Sequence, residues 1–251
     1  MRSVTLAAPA KLTLSLRVTG LREDGYHLLD AEMVTLDLAD LLTFSEGDGI
    51  ELVGAAPDVP AGPDNLVSRA LRAVGRNAHV RLDKRIPSGA GLGGGSADAA
   101  CVLRWARAAP QSGERWARAA DLALAASLGA DVPFCLVRGR ARVRGVGEVV
   151  EPLPTGVLVG RAWTLLTPPV AVSTPAVYRA WDALGGPRAE GPNDLEPAAL
   201  VVAPELARWR DRLQEATGVA PVLAGSGGTW FVEGAFEGDG LVVVRPEGVG
   251  I

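Results

Sequence analysis

The run Ile86-Pro87-Ser88-Gly89-Ala90-Gly91-Leu92-Gly93-Gly94-Gly95-Ser96-Ala97-Asp98-Ala99-Ala100 concentrates more potential chemistry than any other segment of this chain. It follows a strand-like segment and opens a helix-like one, so free amides at a helix N-terminus can face an anion. A flexible linker does not fit, because Gly/Ser linkers seldom lead directly into a well-formed first helical turn. Three phosphate-binding patterns compete for the segment. Gly89, Gly91 and Gly94 satisfy G-x-G-x-x-G, the dinucleotide fingerprint. The residues about 20 positions further on read as a helix with no strand-end acid for a ribose, which weakens that pattern. A Walker A loop fails, because its lysine position, counted from Gly89, holds Gly95. The third pattern, Pro-x-x-x-Gly-Leu-Gly-x-x-x-Ala, fits Pro87, Gly91, Leu92, Gly93 and Ala97 without a gap. The chemistry in view is the cradling of a phosphate chain.

Other residues are suggestive by type. Of the 31 glycines, five fall between Gly89 and Gly95 and three between Gly225 and Gly228, which predicts backbone that approaches a ligand closely. Among 25 basic residues only Lys11 and Lys84 are lysine. Either those two sites need a compact ammonium that Arg does not supply, or they are a residue of composition. Taken alone, Asp131 reads as a cap after Gly129, and Tyr26-His27 as an ordinary turn pair after Asp24-Gly25. Alone, Tyr178 reads as a core residue and Lys11 as the solvated start of a half-buried strand.

Composition narrows the class of protein. With 251 residues, 48% hydrophobic and 22% charged, the chain is long and apolar enough for a globular core and is not a disordered polyelectrolyte. Charged residues interrupt every candidate for the roughly 18–20 apolar residues of a membrane helix. The start, Met1-Arg2-Ser3-Val4-Thr5-Leu6, lacks a signal-peptide core. Cys101 and Cys135 are too few for a disulfide framework and read as small buried hydrophobes. A net charge of −4 without a basic cluster argues against nucleic acid as a partner. A soluble, cytoplasmic protein is expected.

The elements that must position these residues follow from periodicity. Strict alternation from Leu12 to Val18 predicts a half-buried strand, and Leu21 to Tyr26 a turn. Strand-like runs follow at 31–38, 41–45 and 49–53. Asp64 to Val74 has helical spacing, with Asp64 placed as its cap. A strand at 78–83 leads into the glycine loop; helices are predicted from Ser96 to about Ala108 and over about 114–128. Short strands are predicted at 134–138, 140–144 and 148–151. Pro152, Pro154 and Gly156 mark a boundary between domains 1–153 and 154–251. The second half reads as strand 157–167, helices 174–184 and 203–216, and strands 221–224, 229–233 and 240–245. Antiparallel-type strands with segregated helices predict an α+β architecture in two domains.

The third loop pattern resembles that of the GHMP kinases, named for galacto-, homoserine, mevalonate and phosphomevalonate kinases. Five blocks carry the resemblance in order: Ala8-Pro9-Ala10-Lys11-Leu12, Asp24-Gly25-Tyr26-His27, Pro87 to Ala100, Gly129-Ala130-Asp131-Val132-Pro133-Phe134 and Gly225-Ser226-Gly227. Smaller echoes are Asp64-Asn65-Leu66, Gly145-Val146-Gly147-Glu148, Val172-Ser173-Thr174 and Asn193-Asp194-Leu195-Glu196-Pro197. The glycine loop points to the superfamily. Asp-Gly-Tyr-His and Gly-Ala-Asp-Val-Pro point to the branch whose alcohol substrate carries a cytidine diphosphate.

The resemblance implies a two-domain GHMP kinase fold, with an N-terminal α/β domain like ribosomal protein S5 domain 2 and a C-terminal ferredoxin-like domain. It implies ATP-dependent phosphorylation, with Mg²⁺, of the 2-hydroxyl of a small molecule bearing a cytidine diphosphate moiety, within non-mevalonate isoprenoid synthesis. It implies a monomer or weak homodimer, with neither nucleic acid nor membrane as partner. A GHMP kinase for another small alcohol is disfavoured by Asp24-Gly25-Tyr26-His27. A nucleotide-binding homologue impaired in catalysis is disfavoured by intact Lys11, Ser96 and Asp131.

By the same resemblance, the backbone of Pro87, Gly89, Ala90, Gly91, Leu92, Gly93, Gly94, Gly95, Ser96 and Ala97 wraps the ATP phosphates, and Ser96 also lies by Mg²⁺. Asn65, Leu66 and Val67 match the adenine pocket, and Lys84 a position near the nucleotide. Lys11 would stabilise the transferring group, and Asp131 would accept the proton of the substrate hydroxyl. Tyr26, His27 and Tyr178 match residues that stack on and read cytosine. Thr174, Pro175 and Ser226 match further substrate positions. Two departures stand out. Thr13 replaces the usual Asn near the reacting hydroxyl, and Glu233 to Gly240 is too short and glycine-rich for the family's last helix.

Overall fold

The alternation read over 12–18 belongs to a much longer strand, β1 (Val4–Leu21), which pairs antiparallel with β2 (His27–Ser45). The structure, a computed structural model, describes residues 3–54, 59–107 and 119–248. The runs expected at 31–38 and 41–45 are one strand, because Ala39 and Asp40 stay in register with Pro9 and Ala8 and no turn residue interrupts them. Register shifts fall in β1 between Pro9 and Lys11 and between Thr13 and Ser15. Such bulges re-aim side chains. These two bracket Lys11 and Thr13.

The other edge of β2 is shared. Residues 41–45 pair with β4 (His79–Asp83) and residues 29–34 with β5 (Arg140–Gly145). β3 (Gly49–Val53) runs parallel to β4, and β6 (Val149–Pro152) antiparallel to β5. Between them the end of the chain is stitched in: Asp37 N donates to Arg245 O at 2.9 Å and Glu247 N to Thr35 O at 2.9 Å.

Among the described residues, four helices accompany this sheet: α1 (Leu66–Ala73), α2 (Gly94–Ala106), α3 (Ala119–Leu128) and α4 (Val132–Val137). Val67, Ala70, Ala99, Val102 and Phe134 join Leu42, Phe44 and Leu82 in one core. The cap of α1 is Asn65 rather than Asp64, since its Oδ1 is the acceptor for Val67 N at 2.8 Å. α2 starts two residues before Ser96 and ends at Ala106; Ala108 and the expected helical residues 114–118 lie outside the described residues. The strand expected at 134–138 is instead the helix α4. Its run is apolar all round and buried from Val132 to Leu136, so periodicity does not separate strand from helix there, and Pro133 in the first turn suits a helix.

The second sheet contains β7 (Trp163–Leu166), β8 (Val222–Leu223), β9 (Trp230–Glu233) and β10 (Leu241–Val244) in the order β10-β7-β9-β8, all antiparallel. In chain order this is 4-1-3-2, the ferredoxin-like arrangement. The strand expected over 157–167 begins only at Trp163, because a short 3₁₀ turn at Gly156–Leu158 precedes it. The helix expected over 203–216 is α7 (Leu206–Thr217), and a further helix, α6 (Glu196–Val202), occupies part of the stretch expected as a loop; Pro204, whose missing amide cannot continue a helix, stands between the two. α5 (Thr174–Ala183) lies where expected.

Between β9 and β10, residues 234–240 form a loop with no helix. Thr164 pins it, donating to Gly234 O at 2.9 Å and accepting from Phe236 N at 2.9 Å. Phe236 packs against the core in place of a helix. Cys101 and Cys135 are buried free thiols, and burial pushes both up, Cys101 to about 12. No helix among the described residues is long and apolar enough to cross a membrane.

Candidate active site

Two cavities open against the glycine loop. The larger, of about 630 Å³, lies among Lys11, Thr13, Tyr26, His27, Asp131, Thr174, Pro175, Tyr178 and Ser226. The smaller, of about 370 Å³, lies between residues 59–66, Lys84 and the loop itself. Gly91, Gly93 and Ser96 line both. The loop is thus a shared wall, and a group bound on one side can meet a group bound on the other.

The wall is fixed from beneath. Ile86, Ala90 and Leu92 are buried in a cluster with Leu12, Trp163, Leu165 and Ala224, which joins the two sheets. Leu92 O accepts from Lys11 N at 3.0 Å. The two glycine stretches, expected to approach a ligand, approach each other. A Cβ at Gly91 would lie 2.5 Å from both Ala224 O and Gly227 O, and one at Gly228 would lie 2.6 Å from Gly89 O. Gly91 also sits at φ +75°, which favours glycine. Gly91→Ala should therefore destabilise the fold by at least the ~1–2 kcal/mol of left-handed strain, with the clash added. A lower urea midpoint is the expected reading; an unchanged midpoint would contradict this packing.

At the wall, Lys11 and Asp131 come together. Lys11 Nζ donates to Thr13 Oγ1 at 3.1 Å and stands 3.5 Å from Asp131 Oδ2. The lysine is buried, while the Asp131 side chain is 34% exposed towards the larger cavity. Asp131 does occupy the N-cap position of α4, but its side chain makes no capping bond. The carboxylate is left for the cavity. Thr13 is buried and its hydroxyl accepts from Lys11, so it serves the lysine.

The far end of the larger cavity is aromatic. The His27 ring stacks on Tyr178 with centroids 4.8 Å apart and planes at 27°, and meets Trp181 edge-on at 5.5 Å. His27 Nε2 lies 2.8 Å from Asp182 Oδ1. Tyr26 stands at the hairpin tip, 62% exposed, with the Arg22 guanidinium 5.4 Å from its ring centre. Arg22 is itself held by both oxygens of Asp24, at 2.9 and 2.7 Å. Thr174 Oγ1 and Ser226 Oγ are 2.7 Å apart, tying the start of α5 to the Gly-Ser-Gly turn. Burial, with the Asp131 charge adding to it, pushes the Tyr178 hydroxyl up. Asp182 was not read from the sequence. Its spacing of four from Tyr178 on one helix face was the signal.

Around the smaller cavity Asn65, Leu66, Pro87, Gly89, Ala90, Leu92, Gly94 and Gly95 line the wall. Asn65 also spends its amide on structure, donating Nδ2 to Pro60 O at 2.7 Å. Val67 and Ala97 are buried core residues outside the lining. Lys84 Nζ is held between Asp40 and Asp98, the latter at 2.8 Å. Burial opposes the Lys84 ammonium, yet Asp98 and Asp40 outweigh it and its pKa is raised. Burial also drives Asp98 up to about 7, against the pull of Lys84 and with the Asp40 charge adding to the rise. Neither Asp40 nor Asp98 carried a signal of its own in the sequence.

A βα glycine loop between two cavities, on a bulged long-strand sheet joined to a ferredoxin-like sheet, is the architecture of the GHMP kinases. The family model for the GHMP kinases N terminal domain matches residues 65–139. The chain is 42% identical over 245 residues, 90% of its own length and 85% of the relative's, to 4-diphosphocytidyl-2-C-methyl-D-erythritol kinase of Paracoccus denitrificans. It belongs to the 4-diphosphocytidyl-2-C-methyl-D-erythritol kinase family. A crystal structure of a 4-(cytidine 5'-diphospho)-2C-methyl-D-erythritol kinase superimposes with TM-score 0.68 at 37% identity, covering 91% of this chain and 89% of that one. Homoserine kinase from Cytophaga hutchinsonii shares the fold at TM-score 0.62 and 20% identity, over 94% of this chain and 86% of its own.

Proposed function

We propose that the chain transfers the γ-phosphoryl group of ATP to the 2-hydroxyl of 4-diphosphocytidyl-2-C-methyl-D-erythritol, yielding ADP and the 2-phosphate for isoprenoid precursor synthesis. The observation that carries this reading is the shared wall: Gly91, Gly93 and Ser96 face both cavities, with Lys11 and Asp131 beside them. Residues 1–153 form the unit that takes ATP, and residues 154–251 supply the far side of the substrate cavity.

ATP occupies the smaller cavity with its phosphates along the loop amides. Phosphoryl transfer needs positioning and charge neutralisation more than covalent help from the protein. Asp131 accepts the proton of the attacking hydroxyl, and Lys11 neutralises charge on the group in transit. At 3.5 Å, their separation exceeds the roughly 2.7–2.9 Å of a tight charged hydrogen bond, so neither is fully consumed by the other. Ser96, which lines both cavities, carries a hydroxyl that suits Mg²⁺, an ion that takes few protein ligands and completes its shell with phosphate oxygens and water. That ion would add neutralising charge on the phosphates. Tyr26, His27 and Tyr178 hold the cytosine, with Asp182 orienting the imidazole that reads its polar edge. Alcohols without a base leave this aromatic end unused.

A panel assay tests the reading: protein, ATP and Mg²⁺ with the cytidine-diphosphate-bearing alcohol, homoserine or mevalonate, followed by ADP release. Turnover confined to the first is expected, and turnover on either of the others in its place would overturn it. Tyr178→Ala removes one stacking face, worth about 1–3 kcal/mol per base. It should raise KM for the alcohol about tenfold or more, with KM for ATP nearly constant. Equal shifts in both constants would make Tyr178 a packing residue instead.

A further inference from the structure

The glycine loop leaves β4 through Lys84, Arg85 and Ile86 and enters α2 at Gly94. Both junctions meet at one buried cluster. Asp40, from β2, accepts at Oδ1 from Arg85 N at 2.6 Å and from Ile86 N at 2.8 Å, fixing the loop's first residues. Its Oδ2 accepts from Lys84 Nζ. The same ammonium donates to Asp98 Oδ2 at 2.8 Å, and Asp98 sits four residues after Gly94 on α2. Lys84 therefore ties the start of the loop to its end. The tie is tight: a Cβ at Gly94 would lie 3.2 Å from Lys84 Nζ and 3.2 Å from the Ile86 side chain.

The chemistry of the cluster is out of place for a simple core. Two carboxylates share one ammonium, all buried, directly beneath a loop built for an anion. Buried ion clusters are often no more stable than apolar residues of the same volume. What they do supply is a defined geometry. Loop amides bind a phosphate chain well only if they are already aimed at it, since any ordering on binding subtracts from affinity. The side chain of Lys84 is 4% exposed and committed to two carboxylates.

We propose that Asp40 and Asp98, acting through Lys84, are positioning residues that clamp the two ends of the glycine loop and thereby set nucleotide affinity. This rests on the reading of the smaller cavity as the ATP site. Removing the Asp98 carboxylate frees the α2 end while leaving Lys84 paired with Asp40. Losing one charged hydrogen bond from the clamp corresponds to about tenfold or more in affinity.

Calorimetric titration tests this with ADP for the smaller cavity and CDP for the larger. Asp98→Ala should bind ADP at least about tenfold more weakly and CDP as the wild type does. Asp98→Asn still offers Lys84 a side-chain oxygen and should recover most of the ADP affinity. Asp98→Leu replaces the carboxylate with apolar volume and leaves Lys84 paired with Asp40, so it should fold with near wild-type melting temperature while remaining weak for ADP. Wild-type ADP affinity in Asp98→Ala or in Asp98→Leu would overturn the proposal. So would a parallel loss of ADP affinity, CDP affinity and melting temperature, the mark of a merely structural cluster. If the wild-type protein binds no CDP, the substrate reading fails, and the ADP comparison still decides the clamp.

Discussion

Asp131→Asn should lower kcat by about 10²-fold or more, the usual scale for loss of a general base. The substitution nearly preserves shape. It costs no helix cap, because the Asp131 side chain makes no capping bond on α4. What changes at the site is the ability to take a proton, together with the 3.5 Å ion pair to Lys11. KM for ATP should stay close to wild type, since the carboxylate lines the larger cavity and not the smaller. Steady-state kinetics against both substrates checks this, and near wild-type kcat would remove Asp131 from the mechanism.

Lys11→Met should lower kcat by about 10²–10³-fold, as removal of a fixed transition-state charge does elsewhere. Methionine keeps the buried aliphatic stem, against which Gly93 packs so closely that a Cβ there would lie 2.8 Å from Lys11 Cγ. The melting temperature should accordingly hold. Lys11→Arg is the sharper control. Its planar fork needs more room than a compact ammonium, and the space is bounded by Gly93, Gly225 and Thr13. Turnover should stay well below wild type despite the retained charge. Full activity in the Arg variant would show that charge alone suffices and that the packing around the stem is incidental.

The site was legible in the sequence where type and spacing coincide, and the structure gathers those residues as the motif order implies. Lys11, Thr13, Tyr26, His27, Asp131, Thr174, Pro175, Tyr178 and Ser226 share one cavity although they are spread from β1 to the Gly-Ser-Gly turn. What stayed hidden was support through space. Asp40 lies 44 residues from Lys84, so no local pattern announces that contact, and for Asp182, which lies 155 from His27, the helical spacing from Tyr178 is a hint of place and not of partner. Val67 and Ala97 show the converse. Both belong to the right motifs, yet each turns into the core because its helix has a buried face to fill. The glycines were read as ligand contacts, but at Gly91 and Gly228 the close neighbour is the other loop.

Fold elements failed where periodicity is silent. Val132 to Val137 is apolar throughout, buried as far as Leu136, and reads equally as strand or helix. The seven-residue α6, in a stretch expected as a loop, is too short to show a helical period, and Pro204 ends it before α7 begins. By contrast the short glycine-rich stretch before β10 was legible as lacking a helix, and Thr164 and Phe236 show how the sheet is closed without one.

Phosphoryl transfer across the glycine wall to one particular hydroxyl is read directly by ³¹P NMR of the product. The carbon bearing the 2-hydroxyl also carries the methyl branch and no hydrogen. A phosphate placed there gives a new phosphomonoester resonance without three-bond coupling to a carbinol proton, beside an unaltered diphosphate pair. That is the expected spectrum. A proton-coupled phosphomonoester, or a changed diphosphate with no monoester at all, would contradict the account.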